Sequence, residues 1–231
     1  MSLKLKEKAG IYYLFSRLFH EAVNERLLRE IVEKKMLTGV YSLYTEDEQS
    51  LDGDLLEEPE WITRAEDLAV EYTALFIISG AQAVCPYSSY YCDSVVIDTS
   101  TASSCYFPAE PIKDWGVKGL IGGQSTVSVN KIYLKEGYKI EEGSSKLPDH
   151  LAYELEFMGR MYDEGKAEAA ENFFRNFLLP WVFIFIDKLK DQQRSNLYKK
   201  VALVLGKFLR YEFQDILNTQ DRLPEQLRCQ K

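Results

Sequence analysis

Apolar residues recur along most of this chain at the spacing of an amphipathic α-helix. The first stripe, predicted to lie on a helix over about residues 5 to 23, consists of Ile11, Leu14, Phe15, Leu18, Phe19 and Ala22. The same spacing predicts helices over residues 25–37, 63–79, 148–164, 167–179, 181–191 and 195–217. Pro180 interrupts the apolar run at 177–186 and is expected to kink a helix or to begin a new one. The pattern therefore predicts a mainly helical protein.

Residues 126–136 fit two patterns. Val127 and Val129 alternate with polar residues as in a strand, whereas Val129 and Ile132 fall on one side of a helix. The glycines at 122–123 are closely followed by a serine, and serine is a common helix cap. We therefore predict a helix over this segment.

Three stretches lack helical spacing. Residues 44–60 are an acidic loop, and residues 85–93 are a turn rich in tyrosine and serine. Residues 94–120 are long, polar and interrupted by proline and glycine, and their start would suit a short strand at 94–98. No repeat or interdomain linker is evident. The fold class predicted is all-α, a single-domain helical bundle over residues 1–231 with a long central loop insertion at 94–120.

Composition and charge narrow the possible partners. Hydrophobic residues make up 46% of the chain and charged residues 28%, which is typical of a globular protein. The net charge of −8 argues against nucleic acid, because phosphate binding needs clustered lysines and arginines. The longest apolar run, at 177–186, is too short to span a membrane, and the N-terminus lacks the features of a signal peptide. We expect a cytoplasmic protein without stable membrane insertion.

Few residues suit metal binding or catalysis. The histidines are His20 and His150, and Cys85 and Cys92 stand without the CxxC spacing that is typical of zinc sites. Asp149 is adjacent to His150, and a helix would direct the two about 100° apart, which does not suit a catalytic triad. Nucleophile-elbow, Walker A and Rossmann glycine patterns are missing from the sequence. We therefore predict no enzyme, no catalytic residue, no metal and no cofactor.

Two alternatives stay open at this point. The glycine-rich segment 119–126 precedes a predicted helix whose first amide groups could hold an anion, so a helical guanine-nucleotide-binding module is one alternative. A metal-binding protein that uses Cys85, Cys92 and His150 is the other. Helix capping and ordinary thiols explain the same residues without a ligand.

The tripeptide Pro148-Asp149-His150 lies at the start of the helix predicted over 148–164. Pro148 suits the first helical position, where its missing N–H costs nothing. Asp149 in the first turn would complement the positive end of the helix dipole, by roughly 0.3–1 kcal/mol. His150 gains nothing from a helix N-terminus. A helix start therefore gives His150 no structural role.

Four motifs follow one another along the chain. They are EYTALF (71–76) with CPYSSYYCD (85–93), LIGGQSTVSVNKIYLKEGY (120–138), LPDHLAYELEFM (147–158) and FLLPWVFIFID (177–187). Together with YYLFSRLF (12–19), they resemble the redox-enzyme maturation chaperones that include TorD, DmsD and, more distantly, NarJ. The resemblance covers nearly the whole chain and implies an all-helical fold of the TorD-like type.

The resemblance also implies a function without catalysis. Members of this family are cytoplasmic proteins, monomers or homodimers, that assist a molybdopterin-dependent oxidoreductase. They bind the twin-arginine leader peptide and the body of its catalytic subunit, and they hold it until the cofactor is inserted. The leader-binding residues that the resemblance implies are Pro86, Tyr87, Ser89, Tyr91, Asp93, Gly122, Asp149, His150 and Trp181.

The chemistry of a twin-arginine leader agrees with these residue types. Two guanidinium groups need carboxylates such as Asp93 and Asp149, and the stretch that follows needs aromatic faces such as Tyr87 and Tyr91. A negative net charge speeds encounter with a basic peptide. The loop at 94–120 is longer than the family leads us to expect, so we predict that it covers the groove or contacts a particular client.

Overall fold

The computed structural model describes residues 3–46, 50–52, 61–78, 80, 83–96, 116–119, 121–141, 143–192 and 196–221. Its helices are α1 (Leu5–His20), α2 (Glu25–Glu33), α3 (Met36–Ser42), α4 (Trp61–Phe76), α5 (Ser88–Cys92), α6 (Gln124–Glu136), α7 (Leu151–Asp163), α8 (Ala167–Phe173), α9 (Leu179–Lys190) and α10 (Leu197–Asp221). Two short antiparallel strands, β1 (Ser94–Val96) and β2 (Gly116–Lys118), pair with each other. The all-α fold class is confirmed, with this small sheet added. Most of the acidic loop and of the central loop lies outside the described residues.

The helix predicted over 25–37 is wrong, because the chain forms two helices there. α2 ends at Glu33, α3 begins at Met36, and Lys35 between them adopts a left-handed backbone with φ of 48°. A left-handed residue cannot continue a right-handed helix, and it is usually a glycine. No glycine or proline marked this break in the sequence. The turn predicted over 85–93 likewise contains a short helix, α5.

The segment with two possible patterns is helical, as predicted, and forms α6. The helix predicted from residue 148 begins instead at Leu151, so Pro148 and Asp149 precede it. The reason is tertiary, because His150 forms a backbone bridge with the distant residue Tyr87 and keeps an extended conformation. The predicted dipole role of Asp149 within a first turn is therefore wrong.

The N-terminal helix α1 packs most extensively against α7. The Ser16 hydroxyl donates to the carbonyl of Ala152 at 2.8 Å. Gly159 lies against the ring of Tyr13, and a Cβ at this glycine would stand 2.9 Å from ring atoms. The close approach of α1 and α7 therefore depends on a residue without a side chain.

Two tyrosines cap the C-terminal end of α1. The Tyr72 hydroxyl donates to the carbonyls of Phe19 and His20, both at 3.1 Å, and the Tyr198 hydroxyl donates to the carbonyl of Leu18 at 3.0 Å. The last carbonyls of a helix have no partner within it. These bonds satisfy them, and they hold α4 and α10 at the end of α1.

The apolar run at 177–186 belongs to a buried helical rod. A π-helical turn, Phe174–Leu178, follows α8 directly and leads into α9, with Pro180 at the start of that helix. A π-turn changes the hydrogen-bond register locally, which accommodates the missing N–H of a proline. None of the helices in the described ranges is long and apolar enough to cross a bilayer.

A buried charge network joins α1, α7 and α10. The Lys8 ammonium lies 3.1 Å from a Glu212 carboxylate oxygen and 2.8 Å from one of Asp215. The Tyr162 hydroxyl donates to the other oxygen of Glu212. Burial raises the pKa of the Glu212 carboxyl, and the Lys8 charge opposes that shift. Buried charges are tolerated when they are paired, so each member of this network requires the others.

We expect Lys8→Met to lower the free energy of unfolding by about 3–5 kcal/mol, because it leaves Glu212 buried without its cation. Lys6 on the same helix provides the control, since its ion pair with Asp163 is largely exposed (73% and 46%). Lys6→Met should change the free energy of unfolding by less than about 1 kcal/mol. Urea unfolding followed by circular dichroism measures both. Equal losses in the two variants would show that the buried network does not stabilise the fold.

Candidate functional site

Two motifs that lie about sixty positions apart meet in backbone pairing. Tyr87 and His150 form an antiparallel bridge. The amide of Ser88 donates to the carbonyl of Asp149 at 3.0 Å, and the amide of Leu151 donates to the carbonyl of Pro86 at 2.8 Å. The turn before α5 and the entry to α7 are thus held side by side. This pairing brings together the two segments that the sequence singled out.

Asp149 is fully buried beneath this pairing. One carboxylate oxygen accepts from the amide of Ser89 at 2.9 Å, and the other accepts from the Thr126 hydroxyl at 2.7 Å. Asp149 directly precedes the cap of α7. Its carboxylate therefore links the first turns of α5 and α6 to the start of α7. Asp149 was predicted to pair with an arginine of a leader peptide. Both of its carboxylate oxygens instead accept hydrogen bonds from the protein itself.

His150 caps α7, which corrects the view that it has no structural role. Its backbone is extended, and its Nδ1 accepts from the amide of Ala152 at 3.1 Å. Burial lowers the pKa of the ring to about 3, with smaller contributions from the charges of Lys146 and His20. A neutral imidazole can accept a hydrogen bond from an amide as an aspartate or asparagine cap does. Histidine is not a usual cap, so this role could not be predicted from the residue type.

The remaining ring nitrogen of His150 is a donor. Because Nδ1 accepts, the proton of the neutral ring is placed on Nε2. Nε2 makes no hydrogen bond to any residue that the structure describes, although the side chain is only 2% exposed. The ring packs edge-on against Tyr87, with ring centroids 4.9 Å apart. Among the described residues this N–H therefore has no acceptor, and it is not one of the fully buried unpaired groups.

Asp93 and Ser89 hold the start of α6. The Asp93 carboxylate accepts from both the amide and the hydroxyl of Ser125. The Ser89 hydroxyl accepts from the amide of Gly122 at 3.2 Å. A Cβ at Gly123 would collide with the Asp93 carboxylate, so this glycine permits the approach. A nucleotide-binding module would hold a phosphate at the start of α6. In this protein the Asp93 carboxylate lies there instead.

Trp181 lies behind these segments and is fully buried. Its indole N–H donates to Glu154 at 3.1 Å, and its ring stacks on Tyr91 with centroids 5.5 Å apart. Burial, and then the neighbouring charge of Asp149, raises the pKa of Glu154 well above its ordinary value. Trp181 therefore connects α9 to α7 and supports the ring of Tyr91.

An open cavity of about 560 Å³ lies in front of the paired segments. Pro86, Tyr87 and His150 line it, whereas the other predicted site residues do not. Those others are Ser89, Tyr91, Asp93, Gly122, Asp149 and Trp181. We call this cavity the apolar groove, because most of its remaining lining is aliphatic or aromatic.

Sequence reasoning missed several residues of the apolar groove. Ile77 and Ile78 follow the EYTALF motif and are 63% and 60% exposed, and Ile121 is half exposed on the facing side. Two adjacent isoleucines at the end of a helix cannot both face the core, and this was the available signal. Large exposed apolar side chains that cluster at a cavity are typical of a binding surface.

No metal site is formed by the part of the chain that the structure describes. It contains no group of three or more His, Cys, Asp or Glu side chains that could hold an ion. Burial raises the pKa of the Cys85 and Cys92 thiols to about 11, so both are protonated at neutral pH. Metal ligation requires the thiolate, which these surroundings disfavour.

Comparison with solved structures supports the fold. A protein from Archaeoglobus fulgidus that is named for redox enzyme maturation superposes with a TM-score of 0.53 at 22% identity, over 91% of this chain and 96% of its own. At this level of identity the likeness bears on the fold alone. It agrees with the all-helical architecture described above.

Sequence comparisons identify the family. The chaperone TorD of Vibrio cholerae is 22% identical over 90% of both chains, and that of Vibrio parahaemolyticus is 23% identical over 90% of this chain and 93% of its own. These relatives are chaperones rather than enzymes, as the sequence predicted for this chain. Residues 43–187 match the sequence model of the nitrate reductase delta subunit family. Because that match spans more than half of the chain, this protein belongs to the nitrate reductase delta subunit family, the NarJ and TorD family of redox-enzyme maturation chaperones.

Proposed function

We propose that this chain is a cytoplasmic chaperone that binds the leader peptide, the mature body, or both, of a molybdopterin-dependent oxidoreductase subunit. It assists cofactor insertion, assembly and export of that subunit. Membership of the TorD and NarJ family supports the chaperone role. The observation that carries the binding proposal is the apolar groove, with the unpaired N–H of His150 in its wall.

The apolar groove suits an extended peptide. Its exposed isoleucines and the face of Tyr87 offer apolar contact to the hydrophobic stretch of a leader. The N–H of His150 can donate to a backbone carbonyl of that peptide. A carbonyl in this position would replace water as the acceptor of this N–H.

The remaining predicted site residues have a place behind the groove. Ser89, Asp93 and Asp149 hold α5, α6 and α7 together, and Trp181 supports Tyr91. Direct contact of these residues with a leader stays a prediction. For Asp149 to pair with an arginine, its bonds to Ser89 and Thr126 would first have to open.

Leader binding should depend on the groove. The protein should bind synthetic leader peptides of the molybdenum oxidoreductases of its host, as measured by calorimetry. Tyr87→Ala and His150→Asn should each weaken binding by roughly 1–3 kcal/mol, because each removes a contact in the groove. Val70→Ala is the control, since Val70 is exposed on α4 and does not line the groove. If no leader or catalytic subunit binds, the proposed function fails.

Two substitutions at His150 separate its capping role from recognition. Asparagine is a favoured cap, so His150→Asn should leave the free energy of unfolding nearly unchanged, whereas His150→Ala should lower it by about 1 kcal/mol. Both should weaken leader binding equally, since both lack the imidazole N–H. Denaturant unfolding and calorimetry on the same preparations provide the comparison. Full binding by His150→Asn would reduce His150 to a cap.

The neutral state of His150 predicts a pH dependence of stability. Its pKa is about 3 in the folded protein against an ordinary value of 6.5. Between these values the unfolded chain binds a proton that the folded chain does not, so stability falls as pH falls. From pH 7 to pH 5 the wild type should lose about 2 kcal/mol more than His150→Asn. Urea unfolding of both proteins at the two pH values tests this, and parallel losses would contradict it.

A further inference from the structure

A second cavity adjoins the apolar groove. It has a volume of about 700 Å³ and lies between α1, α7 and the segment that joins α6 to α7. Ser145 and Lys146 line both cavities, so the two meet along this segment. We call the second cavity the polar cleft. Three tyrosines, Tyr13, Tyr138 and Tyr153, contribute aromatic surface to it.

The two cavities differ in charge. Among the described residues, the lining of the apolar groove contains no carboxylate, whereas Glu21, Glu141 and Glu156 line the polar cleft. Within the described part of the chain, no lysine or arginine forms an ion pair with these three glutamates. Arg17 also lines the cleft, but it pairs with Glu30 on α2 at 3.0 Å. Lysines 139 and 146 also line the cleft, so what distinguishes it from the groove is its three carboxylates.

Ring contacts connect the polar cleft to the apolar groove. Tyr153 in the cleft packs edge-on against His20, at 5.6 Å between centroids, and against His150 in the groove, at 6.3 Å. A hydrogen bond between the hydroxyls of Ser144 and Tyr153 fixes the segment that divides the two cavities. The unpaired N–H of His150 therefore lies near the point where the apolar surface gives way to the polar one.

We propose that one extended peptide occupies both cavities, with its two arginines in the polar cleft and its apolar stretch in the apolar groove. This inference rests on the proposed leader binding and assigns the leader a direction along the surface. The carboxylates of Glu21, Glu141 and Glu156 pair with the guanidinium groups, and the partly exposed ring of Tyr13 is available for stacking. His150 donates to a backbone carbonyl between the two parts.

The accessibility of the carboxylates favours Glu21 and Glu141 over the aspartates of the sequence motifs. Asp149 is fully buried, and both of its oxygens accept hydrogen bonds from within the protein. Asp93 is engaged with Ser125. Glu21 and Glu141 are exposed to solvent, so a guanidinium group can reach them without any bond of the fold being broken.

The test compares peptides as well as proteins. The probe is a synthetic leader with two consecutive arginines before an apolar stretch of about 12 residues, and its partner has both arginines replaced by glutamine. The wild type should bind the arginine peptide at least about tenfold more tightly, as expected for charged hydrogen bonds. In Glu21→Gln/Glu141→Gln/Glu156→Gln this ratio should fall to near one, with the affinity for the glutamine peptide unchanged.

Glu168→Gln is the matched control, because Glu168 is exposed on α8 away from the cleft. It should keep the wild-type ratio. The single variants Glu21→Gln and Glu156→Gln give partial losses, and they carry the test if the triple variant does not fold. A triple variant that keeps the full arginine preference, or a wild type that binds both peptides equally, overturns the inference and leaves leader binding intact. A wild type that binds neither peptide overturns the proposed leader binding itself.

Discussion

The buried carboxylate of Asp149 is the interaction on which the arrangement of the site depends. It accepts from the amide of Ser89 and from the hydroxyl of Thr126, so the starts of α5 and α6 converge on the residue that precedes the cap of α7. A carboxylate without water is stable only while such donors remain in place. The wall of the apolar groove is therefore positioned by a hydrogen-bond network behind it. Most of the residues that the motifs identified as binding residues lie behind the groove and position its wall.

The neutrality of His150 connects this support to recognition. One ring nitrogen caps α7 and the other is left as a donor, so a single side chain serves the fold and the groove. A charged imidazolium would repel a basic peptide, whereas a neutral ring donates without that penalty. Burial, which keeps the proton off Nδ1, thus makes His150 compatible with the proposed leader and its two arginines.

Sequence reasoning succeeded where a property is local and failed where it depends on distant contacts. The apolar stripe of α1 and the buried face of α7 follow from helical spacing, and both were predicted. The break at Lys35 carries no glycine or proline, and the start of α7 is set by pairing with residues 86–88. Motif resemblance found Tyr87 and His150 in the groove, but it could not tell that Asp149 and Trp181 lie behind it. Exposure is a property of the packed chain, so the roles of these residues required the structure.

The pairing of β1 with β2 has a consequence for how such a chaperone can diverge. Ser94 pairs with Lys118 and Val96 pairs with Gly116, so the two ends of the segment 97–115 are fastened next to each other. The entropy of closing a loop grows slowly with its length, by about 0.6 kcal/mol for each doubling. The chain between the two strands can therefore differ in length or sequence. The starts of α5 and α6, which the Asp149 carboxylate joins, keep their geometry. A change of length between the strands therefore need not disturb the site that these helix starts build.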